Sequence, residues 1–313
     1  MRFVGVDIVK HIFALGVIWL HVKSESRYSK DVSDLINIVG NYVDGAVIGF
    51  FLISGFFFKG ASDCKIQSLV SFFRKTFMRL MIPFFIFSFI YVSALYLLGK
   101  YSLVNGLISI LKLQGPMQMY FLSYLFLILN TLFLCTLLLN LFNVDSKYFF
   151  LILAVIALIF SQIYPVESPA GPNLLNIPLY IFCFSSGQML KYSFSKNIES
   201  FYVYAFVVSS LFLAMSGFDH RFLDVSIVFV LFTLGVYVSY SKILSNFTAP
   251  GSGGVYLLHA PITIYVVSLA LTKISVLGFL NAVLSVILTY VICLFITLSV
   301  RLHLPKFSFL LLE

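Results

Sequence analysis

Charge is scarce in this sequence: Asp, Glu, Lys and Arg make up 10% of its 313 residues, where a soluble globular domain carries about 25%. With 61% hydrophobic residues, the chain cannot clothe a water-facing exterior, which excludes a soluble enzyme. Cysteine is sparse too. Cys64, Cys135, Cys183 and Cys293 lie far apart with no CxxC pair, so neither a disulfide framework nor a metal site is expected, and they read as small packing residues. The 18 glycines follow no three-residue period, which excludes collagen, and no charged-flanked heptad persists, which excludes a coiled coil. Alternating segments of about 9–11 residues, the mark of a membrane β-barrel, are missing. No Gly/Ser linker, charge block or internal repeat divides the chain, so residues 1–313 read as one integral-membrane domain.

What is abundant is apolar sequence in long runs. They fall near 4–22, 41–58, 77–98, 117–141, 147–164, 175–192, 201–217, 222–240, 253–272 and 277–300, each near the roughly 20 residues that cross hydrocarbon as a helix. The expected fold is therefore all-α, a polytopic bundle of about ten transmembrane helices with both termini on one side. No small-residue cleavage site follows the first run, which continues His21-Val22-Lys23-Ser24-Glu25, so it reads as an uncleaved span. With the N-terminus inside, Lys23, Arg27, Lys30, Lys100, Lys112, Arg221 and Lys273 are outside and the other 13 of the 20 basic residues are inside. The positive-inside bias thus favours cytoplasmic ends. The densest basic cluster, Lys59 to Arg79, is expected in the loop between the second and third spans, where it serves lipid headgroups and topology or holds an anionic ligand.

Ionisable groups inside a span cost about 2.5–3.5 kcal/mol each, so they call for a partner or a function. The first span carries Asp7, Lys10, His11 and His21. At 100° per residue, the last three fall within about 60° of Asp7. This stripe should look into the bundle, because the opposite face, with Ile8, Ile12, Trp19 and Leu20, has no ionisable group. Asp7 can pair with Lys10 at i+3 or His11 at i+4. His21, about 16 Å along the helix from Lys10, is either an interfacial residue or a base suited to neutral pH. The second span holds a Ser54-Gly55 step within an aromatic run, which permits close helix approach. Asp44, near the start of that span, is a further polar candidate. The ninth begins Ser252-Gly253-Gly254-Val255-Tyr256-Leu257-Leu258-His259-Ala260-Pro261. Here His259 is a satisfied core histidine or a site residue, Pro261 leaves a carbonyl without its helical donor, and the glycines could approach an anion although they lack a phosphate loop's spacing.

Taken together, these segments resemble the acyltransferase 3 family of integral-membrane acyltransferases. Asp7-x-x-Lys10 with His21 is similar to its first-span pattern of a basic residue and a His, and Phe50-Phe51-x-x-Ser54-Gly55-Phe56 to its second-span motif. Arg74-Lys75-x-x-x-Arg79-Leu80-x-x-Pro83 resembles the basic start of its third span, and Tyr120-Phe121-Leu122 and Tyr256 to Ile262 resemble later landmarks. The chain departs in carrying Lys10 where Arg is commoner, Met117 and Met119 where Trp or His is frequent, and no fused esterase-like domain.

The resemblance implies a multi-pass enzyme of the bacterial inner membrane that moves an acyl group, usually acetyl, from cytoplasmic acyl-CoA to a hydroxyl of a surface polysaccharide or its lipid-linked precursor. Membrane lipids and the two substrates are the expected partners, with no nucleic acid, no metal and no permanently bound cofactor. Thioester transfer to an alcohol needs a base, donors for the developing oxyanion and a place for the CoA phosphates. His21 is expected as base or transient acyl carrier, with Lys10 and Asp7 in the catalytic stripe. Arg74, Lys75 and Arg79 are expected to bind the phosphates, and Ser54, Tyr256 and His259 to contact substrate. The competing reading is a proton-coupled transporter or exporter of a small organic acid or a lipid-linked sugar, which an intramembrane His/Lys/Asp stripe also suits.

Overall fold

In a computed structural model, the described residues are 3–23, 28–61, 65–99, 102–115, 117–163, 173–217, 219–240, 249–274 and 278–312. Cys64, Arg2, Arg27, Lys100 and Lys242, which entered the reading of cysteines and charge, lie outside them. Among the described residues there are helices and no strand.

The helices are α1 (Val4–Lys23), α2 (Lys30–Asn41), α3 (Ala46–Phe57), α4 (Ile66–Thr76), α5 (Ile82–Leu97), α6 (Leu103–Leu111), α7 (Tyr120–Leu141), α8 (Ser146–Ile163), α9 (Ile177–Lys196), α10 (Ile198–Met215), α11 (His220–Ser239), α12 (Ser252–Leu258), α13 (Ile264–Lys273) and α14 (Gly278–His303). A π-helical turn, Phe77–Met81, joins α4 to α5, and another, His259–Thr263, joins α12 to α13.

Eight helical stretches among the described residues are long and apolar enough to cross a membrane: Val4–Val22, Lys30–Phe57, Ile66–Leu97, Tyr120–Leu141, Ser146–Ile163, Ile198–Met215, His220–Ser239 and Gly278–His303. The two other expected spans differ for separate reasons. The run at 175–192 becomes the 20-residue α9, whose Ser185, Ser186, Gly187, Gln188 and Lys191 dilute its apolar character. The run at 253–272 is broken at Ala260, and its longest apolar helix is the 10-residue α13.

The chain divides into two compact units. One comprises Met1–Ala46, Ile86–Met119 and Leu234–Glu313, and the other Val47–Phe85 and Tyr120–Thr233. In the first, α1 packs on α2, α12, α13 and α14. The 23–40 stretch, expected as a loop, contains the amphipathic α2, which covers Trp19. The indole donates to Ile36 O at 3.1 Å and is 9% exposed, whereas Ile12 on the same side of α1 is 43% exposed. A buried indole N–H needs an acceptor, and α2 supplies it.

In the second unit, the Ser54-Gly55 step does allow a close approach. A Cβ on Gly55 would stand 2.0 Å from Phe184 O, and one on Gly187 2.2 Å from Leu52 O, so only glycines let α3 and α9 meet backbone to backbone. At the end of α3, Gly55 O accepts from Phe58 N at 3.1 Å, and α9 supplies further donors to this turn. Gln188 Nε2 donates to Gly55 O and, at 3.0 Å, to Phe58 O, and Lys191 Nζ to Phe58 O at 2.5 Å. Phe51 stacks on Tyr180 at 4.4 Å and meets Phe121 edge-on at 5.0 Å.

Candidate active site

The first unit gathers three of the expected residues, His21, Tyr256 and His259, near one break in a helix. Ala260 precedes a proline and is extended, with φ −132° and ψ 153°, as the clash with a following Pro ring favours. At the break Pro261 offers no N–H to Leu257 O, and Leu257, Leu258 and Ala260 turn their carbonyls to side chains; a buried carbonyl left unpaired costs about 1–3 kcal/mol. Each of the three is met by a side chain. The Tyr91 hydroxyl donates to Leu257 O, Thr263 Oγ1 to Leu258 O at 2.7 Å, and Gln118 Nε2 to Ala260 O at 2.7 Å. Pro261 therefore does remove a backbone donor, and Tyr91 replaces it.

His259 lies at the head of this break and is 0% exposed. Its Nδ1 is 3.2 Å from Val255 O. A carbonyl only accepts, so Nδ1 carries the hydrogen and Nε2 presents a bare lone pair. Among the described residues, Nε2 has no hydrogen-bond partner. The His21 ring lies 5.0 Å away, centroid to centroid, at 48°, and the Tyr256 ring 5.9 Å away. The Tyr256 hydroxyl donates to Gln118 O at 2.8 Å, so in this state its hydrogen serves the main chain.

Further along α1, Lys10 Nζ pairs with Asp7 Oδ1 at 2.9 Å. His11 instead has Tyr290 Oη at 3.0 Å from Nδ1 and Ala249 O at 3.2 Å from Nε2. Because α1 is unbroken from Val4 to Lys23, Lys10 and His21 share one rigid rod, about 16 Å apart along its axis.

The glycine-rich start of α12 is filled by protein. A Cβ on Gly254 would meet Thr297 Oγ1 at 2.2 Å, and one on Gly253 would meet Leu312 Cβ at 2.7 Å. These glycines therefore admit α14 and the 3₁₀ turn Pro305–Leu311, which accounts for them without an anion.

In the second unit, the basic residues differ from expectation in secondary structure. Arg74 and Lys75 form the last turn of α4, and Arg79 sits in the π turn, rather than in a loop. All three are exposed, on a helix held by Phe72 stacked on Phe133 at 4.1 Å and by Thr76 Oγ1 donating to Asn130 Oδ1 at 3.1 Å. Cations in a last turn complement the helix dipole. Ser54 is half-buried in α3. Cys183 and Cys293 are buried and Cys135 is half-buried, and all three carry free thiols.

Residues 3–298 match the acyltransferase 3 family model, described as an acyltransferase domain. The chain belongs to the acyltransferase 3 family. No curated protein and no solved structure matches it. The match spans nearly all of this acyltransferase, as the resemblance of its motifs did, and with its apolar helices it makes the chain a multi-pass membrane acyltransferase. A transporter is not favoured. Three residues at the helix break, Gln118, Tyr91 and Thr263, escaped the sequence reading. A signal for Gln118 existed, since it is an isolated amide in the apolar run Met117-Gln118-Met119-Tyr120. Tyr91 is one of 18 tyrosines, and no spacing marks it.

Proposed function

We propose that this enzyme transfers an acetyl group from cytoplasmic acyl-CoA to a hydroxyl of a surface polysaccharide or its lipid-linked precursor, in the bacterial inner membrane with both termini inside. The observation that carries the reading is the pairing of two imidazoles, His21 and His259, inside the helical unit. Two rings in contact inside a membrane protein are costly to keep unless they handle protons.

In this scheme, His21 takes the proton of the acceptor hydroxyl as its oxygen bonds to the thioester carbon. The C–S bond then breaks, and the proton passes to the departing sulfur, so that CoA leaves as the thiol. A covalent acyl-His21 intermediate is the second variant. Lys10, held by Asp7, supplies positive charge to the stripe, and Arg74, Lys75 and Arg79 provide phosphate contacts suited to CoA. Tyr256 holds Gln118 and the ring of His259 in place, and Ser54 contributes a hydroxyl to substrate contact.

The test uses the purified protein in lipid nanodiscs with radiolabelled acetyl-CoA and glycolipid extracted from membranes of a strain lacking the gene. His21→Ala should lower transfer by about 100-fold or more while leaving the thermal melt near wild type. Wild-type turnover by that variant would remove His21 from the chemistry.

A further inference from the structure

Two buried polar atoms at the helix break have no hydrogen-bond partner among the described residues, and both are acceptors. One is His259 Nε2, whose ring is 0% exposed, and the other is Gln118 Oε1, on a residue 3% exposed. Their chemical identities follow from what each side chain touches on its other side. Gln118 faces Ala260 O at 2.7 Å. Only the amide nitrogen can donate to that carbonyl, which leaves the oxygen as the free end. His259 faces Val255 O through Nδ1, which by the same reasoning leaves Nε2 as a lone pair. The two residues are tied together, since Gln118 bonds Ala260, the neighbour of His259 in sequence, and Tyr256 both donates to Gln118 O and packs its ring on His259.

We propose that Gln118 Oε1 and His259 Nε2 form the acceptor subsite, and that this subsite takes two hydroxyl hydrogens of a neutral polyol, as a sugar offers on neighbouring carbons. Each buried acceptor left unmet is destabilising, so the complementary ligand is one that brings hydrogens. A carboxylate or a phosphate brings only further lone pairs and is repelled. A single alcohol satisfies one atom and leaves the other bare, whereas a diol satisfies both. A site built to pair with hydroxyls also rejects analogues lacking them strongly, because its own polar groups are then stranded. Gln118 is thus a specificity residue for the acceptor, and Tyr91, Tyr256 and Thr263 are positioning residues that keep the broken helix open at this point.

The inference rests on the acyl-transfer reading above. In the same nanodisc assay, glycolipid extract is added at rising concentration at fixed acetyl-CoA, and acetyl-CoA is then varied at fixed extract. Gln118→Leu should raise the extract concentration needed for half-maximal transfer by about tenfold or more, with half-saturation by acetyl-CoA moving less than about twofold. Because leucine also strips Ala260 O of its donor, Gln118→His serves as the second variant: it keeps a ring N–H for that carbonyl and replaces Oε1 by a ring lone pair that is held in a different position and direction. It should show the same acceptor loss with a melt close to wild type. If wild type transfers acetyl and Gln118→His saturates with extract as wild type does, the two atoms hold only a trapped water and the inference is overturned. If wild type transfers nothing from acetyl-CoA to the extract, the acyl-transfer reading itself fails and takes the subsite with it.

Discussion

Tyr91 and Gln118 stand where the backbone of this enzyme is short of donors. Pro261 has no N–H to return to Leu257 O, which covalent structure alone dictates, but that the helix breaks at Ala260 and which side chains repair it depend on what the fold brings alongside. Tyr91→Phe removes the donor to Leu257 O and nothing else of size, so it should destabilise the protein by about 1–3 kcal/mol, read as a lower melting temperature in detergent. An unchanged melt would mean that the carbonyl finds another donor. At the α10–α11 connection, burial alone would raise the Asp219 carboxyl, but hydrogen bonds from the Arg221 side chain and main chain, with the guanidinium's charge, outweigh it and hold the carboxyl below its usual range. Arg221 also donates to Ser161 O at 3.1 Å, tying this turn to α8. Since the native value lies below the unfolded one, the stabilisation is complete above about pH 4 and disappears as pH falls through the native value. The melting temperatures of wild type and Asp219→Asn should therefore differ near neutrality and converge in acid; a constant gap contradicts the ion pair. His21, His259, Tyr256 and the Asp7–Lys10 pair could be nominated from spacing because ionisable groups stand out in apolar sequence. Tyr256 was nominated only through the motif it shares with His259; Tyr91 is one of 18 tyrosines with no such motif, and the isolated amide of Gln118 gave no hint of its partner, so both required coordinates.

Helix α4 illustrates how an element can be misjudged while its residues are well chosen. Its apolar positions are interrupted by Gln67, Ser68, Ser71, Arg74 and Lys75, so hydropathy alone starts the third span near residue 77, whereas the helix starts at Ile66 and runs on through a π turn. The helix forms because one aromatic edge, Phe72 and Phe73, packs on Phe133 and Phe126 of α7, leaving the basic groups on the exposed side. If these groups hold CoA phosphates, Arg74→Glu with Arg79→Glu should raise the Michaelis constant for acyl-CoA by about tenfold or more, at a cost of about 1.4 kcal/mol per tenfold, with the maximal rate affected less. A constant within twofold of wild type would place the donor elsewhere. Helix α2 was missed for the opposite reason: it is short and polar along one side, and its purpose, covering Trp19, is visible only once α1 is in place.

At the level of the whole molecule, both the membrane assignment and the family rest on properties spread along the entire chain, and the match over residues 3–298 agrees with them. The proposed orientation places Lys65 on the cytoplasmic side and Lys273 outside, and both are exposed. In a cysteine-free background, Lys273→Cys should react with a membrane-impermeant maleimide in intact cells, and Lys65→Cys only after the membrane is opened; the reverse pattern would invert the topology. Composition and hydropathy by themselves determined that the chain is helical and lives in lipid, because a bilayer leaves backbone polar groups no partner but their own helix. The 3.6-residue period determined that Asp7, Lys10 and His21 share a face. Only tertiary structure decided that His21 meets His259 and that Gln118 and Tyr91 repair the broken helix. Contacts between residues more than a hundred positions apart are set by how helices pack, and no local pattern encodes them.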